Sequence, residues 1–130
     1  MADYTLKNLK DIDDLAAGRG TGIEARFARS HLDAEHLGVT YMRFDPDTRS
    51  PFAHSHGEQE EIYVVTAGSA TFKIGDDELD VGPWDVIRVA PNAVRALHSG
   101  PEGLELIIAG SDRPTDGDGE ISSIDEFWPS

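Results

Sequence analysis

The chain has no cysteine. Disulfides and thiolate metal sites are excluded, which leaves the compartment weakly determined. Positive charge is also scarce. Eleven Lys and Arg face twenty-five Asp and Glu, for a formal net charge of −14. Such a surface repels nucleic acid and anionic membranes, so neither is expected as a partner. No stretch approaches the roughly 20 consecutive apolar residues of a membrane helix. The opening residues MADYTLKNLKDIDD have no basic start and no apolar block, so they do not read as a signal peptide, and the expected location is the cytoplasm. Alternation of strands with helices is missing too, which argues against a nucleotide-binding α/β fold.

What is present reads as strand, turn, strand. IEARFAR (23–29), GVTYMRF (38–44), EIYVVTA (61–67), SATFKI (69–74), DVIRVA (85–90), VRALHS (94–99) and LELIIAG (104–110) are short, and most carry β-branched or aromatic residues. DPDTRSP, GDDE, VGP, PN and GPEG punctuate them. With 130 residues, the pattern predicts one domain, an all-β sandwich or barrel. A helical segment is expected only near residues 9–17, in LKDIDDLAAG, with Gly18 as its stop. Trp84, after a Gly-Pro turn, reads as a packing residue.

Two motifs fail on inspection. GRGTG (18–22) has no strand before it and no helix pattern after it, so it is not a phosphate loop. DGDGE (116–120) resembles part of a calcium loop, but the sixth position is Ile121 rather than glycine and the twelfth is Phe127 rather than glutamate. Residues 111–130 then read as a solvated acidic tail, loosely attached over 111–120, with Phe127 and Trp128 as an anchor.

The densest group of potential metal ligands is HSHGEQEEIYVVTAG (54–68). In a strand, residues i and i+2 share a face, so His54 and His56 can aim their imidazoles at one point. Glu61 opens the next strand and can reach that point if the strand pairs back. Two neutral nitrogens and a carboxylate suit Fe, Mn, Zn or Ni as divalent ions. By the same parity, Phe52 lies with the histidines, and Tyr63 and Val65 lie with Glu61, lining the interior.

This stretch resembles the first motif of the cupin superfamily: a His-x-His pair, a short spacer, a Glu, six residues and a Gly. Glu61 falls at the ligand position and Gly68 at the turn glycine, while Thr48 stands where the motif has its leading glycine. VGPWDVIRVAPNAVR (81–95) is similar to the second motif, with Gly82 and Asp85 near its start. The resemblance implies a cupin-type double-stranded β-helix, or jelly-roll barrel, over residues 36–110, with 1–35 as an N-terminal arm carrying the first strand or strands. It implies a fold rather than a reaction, since cupins include isomerases, dioxygenases and binding proteins.

The second motif departs at its ligand. Asn92 stands at the motif's glycine and Arg95 at its fourth-ligand histidine. A guanidinium has no lone pair to donate, and its charge opposes a cation. Parity keeps His98 from replacing it, because Arg95 and Leu97 share one face and His98 takes the other.

Two readings of the site follow. Either His54, His56 and Glu61 hold a metal as a three-residue site and Arg95 clamps the acidic group of a substrate, or Arg95 pairs with Glu61 and stands in for the metal. The expected function is a small-molecule-binding cupin, metal-free or weakly metallated, taking a small anionic molecule in a pocket lined by Phe52, His54, His56, Glu61, Tyr63, Arg95 and Leu97. The alternative is a metal-dependent cupin enzyme of isomerase or dioxygenase type. A homodimer is expected, because small cupins often pair and exposed strand edges invite pairing.

Overall fold

The fold is taken from a computed structural model that describes residues 3–112 and 117–129. Among the described residues the regular structure is mostly antiparallel sheet. The strands are β1 (Ile23–Phe27), β2 (Gly38–Phe44), β3 (Phe52–His56), β4 (Glu61–Ile74), β5 (Asp77–Val81), β6 (Val86–Val89), β7 (Arg95–Gly110) and β8 (Gly119–Ser123). One path runs β1-β2-β7-β3-β8, and β4 joins it through β7 while also pairing with β5 and β6. No described helix is long and apolar enough to cross a membrane.

β4 and β7 are the spine. They pair from Glu61↔Gly110 to Ile74↔Arg95, with irregularities between Val65 and Ala67 and between Gly68 and Ala70. The sequence reading divides each of them in two, at Gly68 and at GPEG. The chain instead runs through both points as a bent strand. Bulges explain how the interior face survives the bend. On β4 the buried residues are Tyr63 and Val65, then Ala70 and Phe72; on β7 Arg95, Leu97 and Ser99, then Leu104, Leu106 and Ile108 share the inward face, and Ala96 is buried as well. The parity changes across each bend, so the extra residues return the apolar side chains to the core. Phe44, Val65, Phe72, Val89, Leu97, Leu104 and Leu106 form its centre.

Gly68 and Gly103 make the bend possible. Both have positive φ, 76° and 83°. A Cβ on Gly68 would lie 2.0 Å from the Gly103 carbonyl oxygen and 2.7 Å from its carbonyl carbon. The two backbones touch where β4 crosses β7, and no side chain fits between them.

Three expectations are corrected. The segment at 9–17 is not a helix but a single 3-10 turn, Leu9–Asp11, followed by further turns. Asp14 prevents helix propagation: its carboxylate accepts from the amides of Ala16 and Ala25, at 2.9 Å each, and ties the segment to β1. The only described α-helix is the short α1, Ile124–Phe127, at the other end of the chain. Trp84 does not pack. It sits at φ 71°, 75% exposed, in a turn closed by the Asp85 carboxylate on the Gly82 amide.

The third correction concerns the tail. Residues 113–116 lie outside the described part. From 117 onward the tail is attached. β8 pairs with β3 from Phe52↔Ser123 to His56↔Gly119, so the strand that carries both histidines is not an edge. Arg49 donates to the Trp128 carbonyl and pairs with Asp125, and the Lys73 ammonium lies 4.0 Å from the centre of the Phe127 ring. Arg43 reaches Glu24 and Asp45.

Two outcomes test this account. Gly68→Ala is expected to lose at least ~3 kcal/mol, because backbone meets backbone, whereas Gly75→Ala, at φ 58° with nothing within 4 Å, loses only the ~1–2 kcal/mol of left-handed strain. Chemical denaturation of the two variants makes the comparison. Deleting residues 122–130 is expected to lower the melting temperature by several degrees. An unchanged thermogram would show that Phe127 and Trp128 anchor nothing.

Candidate functional site

β3 and the first residue of β7 lie side by side, with His54 paired to Arg95. Alternation along β3 turns Phe52, His54 and His56 to one face. Glu61 begins β4 immediately after the loop that follows β3. Its carboxylate enters the same space, where it meets four groups.

Glu61 Oε1 lies 3.6 Å from His54 Nε2, 3.4 Å from His56 Nε2 and 3.3 Å from Arg95 Nη2, and it accepts a 2.9 Å hydrogen bond from the Tyr63 hydroxyl. The Glu61 backbone is held in register with Gly110 and Val89. Burial of the Glu61 carboxyl favours its neutral form. The approach of His54, His56 and Tyr63 outweighs that, and holds it well below the ordinary carboxylate range. The Tyr63 hydroxyl is shifted the opposite way, upward, first by burial and then by the Glu61 charge, so it stays a neutral donor.

Arg95 is 1% exposed. Its Nη1 donates to the carbonyls of Pro91 and Ala93, at 3.2 and 2.9 Å. Its Nε and Nη2 have no hydrogen-bond partner, and neither ring nitrogen of His56 has one. Buried polar atoms are rarely left so, and their convergence on Glu61 marks a place where something polar belongs. The donor set suits a divalent metal. One ligand atom each from His54, His56 and Glu61 lies within 4.8 Å of the others. Two imidazoles and a carboxylate are what such ions take. Against this stands the guanidinium charge on the same carboxylate.

The other sequence candidates fall into place around this centre. The Tyr63 ring packs edge-on to Phe72, 5.3 Å between centres, so it serves the core and the site together. Leu97 belongs to the apolar cluster below. Phe52 is corrected: it shares the histidine face but is 41% exposed, at the rim beside His54 rather than in the interior. His54 is the most exposed of the three potential ligands, and His56 is nearly enclosed. Glu60 points away and pairs with Arg88. His98 turns outward to Asp47, and His36 lies against Asp112, so neither joins the site.

The sequence reading misses Asp118. It assigns this residue to a solvated tail, yet the carboxylate is 3% exposed and its Oδ2 lies 3.6 Å from His56 Nδ1. No local pattern marks it, because the isoleucines of EISSI at 120–124 lie three apart rather than alternating.

Glu61→Ala is expected to cost about 3–5 kcal/mol, because it leaves a buried guanidinium without its carboxylate. The double variant Glu61→Ala/Arg95→Met is expected to recover most of that loss in urea titrations. A depressed carboxyl pKa contributes stability above the ordinary carboxylate range, and that contribution is lost as pH falls toward the depressed value. The parent is therefore expected to lose stability in acid more steeply than Glu61→Ala.

A sequence profile of the cupin domain matches residues 40–109. No curated protein matches the chain by sequence. Solved structures match in fold. A cupin protein from Bacteroides fragilis is 18% identical, with a TM-score of 0.70 over 92% of each chain. A sugar phosphate isomerase of the cupin superfamily from Silicibacter pomeroyi is 16% identical, with 0.69 over 93% of this chain and 94% of that one. A polyketide cyclase from Streptomyces resistomycificus is 17% identical, with 0.71 over 92% of this chain and 84% of that one. At such identities the likeness is one of fold, and the matched segment, which spans the two histidines, Glu61 and the β4–β7 spine, places this chain in the cupin family.

Proposed function

We propose that this protein is a small-molecule-binding cupin whose pocket takes a compact organic anion, a carboxylate or phosphate ester, against Arg95. Metal binding at His54, His56 and Glu61 is weak or absent in this reading. One observation carries it: a guanidinium, 1% exposed, lies 3.3 Å from the carboxylate that a cation would need, with Nε and Nη2 still free to donate. An entering carboxylate satisfies those donors and is bound by charge-assisted hydrogen bonds. The half-exposed His54 and the Phe52 rim give the ligand's remainder a polar and an aromatic surface. The acidic exterior disfavours polyanions as cargo, so the ligand is small. The functional unit is taken to be a homodimer.

A second reading has its own support. Both ring nitrogens of His56 are buried without a partner, which suits a metal-dependent enzyme holding a divalent ion on His54, His56 and Glu61. In that case the ion supplies Lewis acidity at the pocket. Arg95 orients the substrate's acidic group, the Tyr63 hydroxyl keeps Glu61 ionised, and Phe52 shields the mouth from water.

Titration calorimetry of the parent and Arg95→His with Zn(II) and Ni(II) separates the two. The binding reading expects Arg95→His to bind at least about tenfold more tightly, a difference of ~1.4 kcal/mol. It also expects carboxylates to raise the melting temperature of the parent and not of the variant. Equal and tight metal binding by both proteins, with near-stoichiometric Fe, Mn, Zn or Ni in untagged preparations made without chelator, would establish the enzyme reading instead.

A further inference from the structure

We infer that the pocket takes a carboxylate with an apolar body, a short aliphatic or aryl acid rather than a hydroxylated or phosphorylated sugar acid, and that Phe27, Phe52 and Ile121 set this preference. The inference rests on the reading of Arg95 as the anchor of a compact organic anion. It adds the chemistry of the ligand's other end.

The three residues come from three strands, and each faces inward. Ile121 pairs with His54 across β8 and β3, and partners in an antiparallel pair share a face. Phe52 shares that face by alternation along β3. Phe27 alternates with Ala25, whose register partner Met42 packs on the apolar core. The outward face of β1 belongs to Glu24 and Arg26, which pair with each other. Side chains on the inner face of a small closed barrel fill it and lose contact with water. Here Phe27 is 46% exposed, Phe52 41% and Ile121 69%. Solvent therefore reaches the inward face at these three places.

The topology says where the opening lies. β4 bonds one edge of β7 along both of its halves, so β2 and β3 share the other edge, β2 on the second half and β3 on the first. The ribbon folds at Gly68 and Gly103 and brings its halves face to face. The pair β2 and β1 therefore lies over the pair β3 and β8. β1 and β8 end the hydrogen-bonded path, and among the described strands they do not bond to each other. The barrel is open along this seam. Phe27 stands on one side of it, Ile121 on the other, and Phe52 one strand further in. His54, the potential ligand most open to solvent, lies beside Ile121, with the Phe52 ring edge-on at 6.4 Å.

The two ends of the site differ in chemistry. At the inner end, Nε and Nη2 of the buried Arg95 have no hydrogen-bond partner, and a carboxylate satisfies them. Along the seam, the register partners of Phe27, Phe52 and Ile121 are Thr40, Ser123 and His54. No carboxylate, ammonium or guanidinium stands beside them in the register. A sugar acid would bring hydroxyls against side chains that neither donate nor accept, and would lose its bonds to water there. An alkyl chain or a ring removes apolar surface from water on both partners. Arg95 thus selects the head of the ligand, and the seam selects its body.

Acetate, hexanoate and gluconate test this, titrated as sodium salts at constant ionic strength into the full chain and followed by 1H–15N correlation spectra. Hexanoate and gluconate match in charge and carbon count, and differ in that gluconate carries hydroxyls where hexanoate has bare methylenes. Hexanoate is expected to bind at least about tenfold more tightly than acetate, since each fully buried methylene is worth about fourfold and part of the chain stays in water. Gluconate is expected to bind no more tightly than acetate. The amides of Phe27, Phe52 and Ile121 are expected to shift with hexanoate. Both Phe27 and Ile121 are exposed, so the double variant Phe27→Ser/Ile121→Ser is expected to fold. In it the advantage of hexanoate over acetate is expected to fall to about threefold or less. Hexanoate no tighter than acetate in the parent, or gluconate as tight as hexanoate, overturns the inference and leaves the Arg95 anchor standing. Shifts confined to the exposed Trp84 and Val86 overturn it as well, because the chain then lies elsewhere. If none of the three binds, or if Arg95→His binds them as the parent does, the anchor itself fails and the inference falls with it.

Discussion

A single carboxylate organises the interior of this barrel. Glu61 sits where two imidazoles, a phenol and a guanidinium converge, all within hydrogen-bonding or ion-pair distance of one oxygen. An arginine buried to this depth is tolerable only beside a compensating charge, because an isolated buried ion costs many kcal/mol. Pro91 and Ala93 carbonyls take one end of the guanidinium, and Glu61 takes another. The fold has to deliver these groups to the same point, and most of its unusual features follow from that demand.

The delivery depends on a bend. Glu61 and Ile74 close the two ends of β4, and a straight strand would set them ~43 Å apart at about 3.3 Å per residue. Ile74 is paired with Arg95, yet Arg95 touches Glu61. The β4–β7 ribbon must therefore fold back on itself, so that its two halves face each other across the core. Gly68 and Gly103 allow the backbones to touch at the crease, and the bulges beside them restore the inward face on each side. The apolar cluster of Val65, Phe72, Leu97 and Leu106 fills the gap between the halves. Packing and site geometry thus share one origin.

This explains what could be read from the sequence. Local parity sufficed for His54, His56 and Glu61, because an eight-residue span of strand and loop is a local matter. Arg95 could be aimed at them only through its likeness to a motif slot, and its pairing with His54 is the physical content of that slot. The long strands were read as pairs of short ones because glycine-rich interruptions mark a crease and a turn alike. The expected helix at 9–17 yielded to a side chain, Asp14, whose bonds to Ala16 and Ala25 favour a turn. Asp118 was hidden for a different reason. Its surroundings are acidic and glycine-rich, the composition of a solvated tail, while its burial depends on a strand pairing between segments some sixty residues apart.

Two fixed charges therefore compete over the same imidazoles, and they come from different parts of the chain. Arg95 belongs to the barrel and sets a positive charge 3.3 Å from the Glu61 carboxylate. Asp118 belongs to the tail and sets a negative charge 3.6 Å from His56 Nδ1. Neither can leave without cost, since each is buried and each is held by backbone groups. The electrostatics around His56 are then a balance between these two charges and Glu61. Because β8 both covers the edge of β3 and carries Asp118 to His56, the tail serves two ends at once: it protects the sheet edge and completes the polarity of the site.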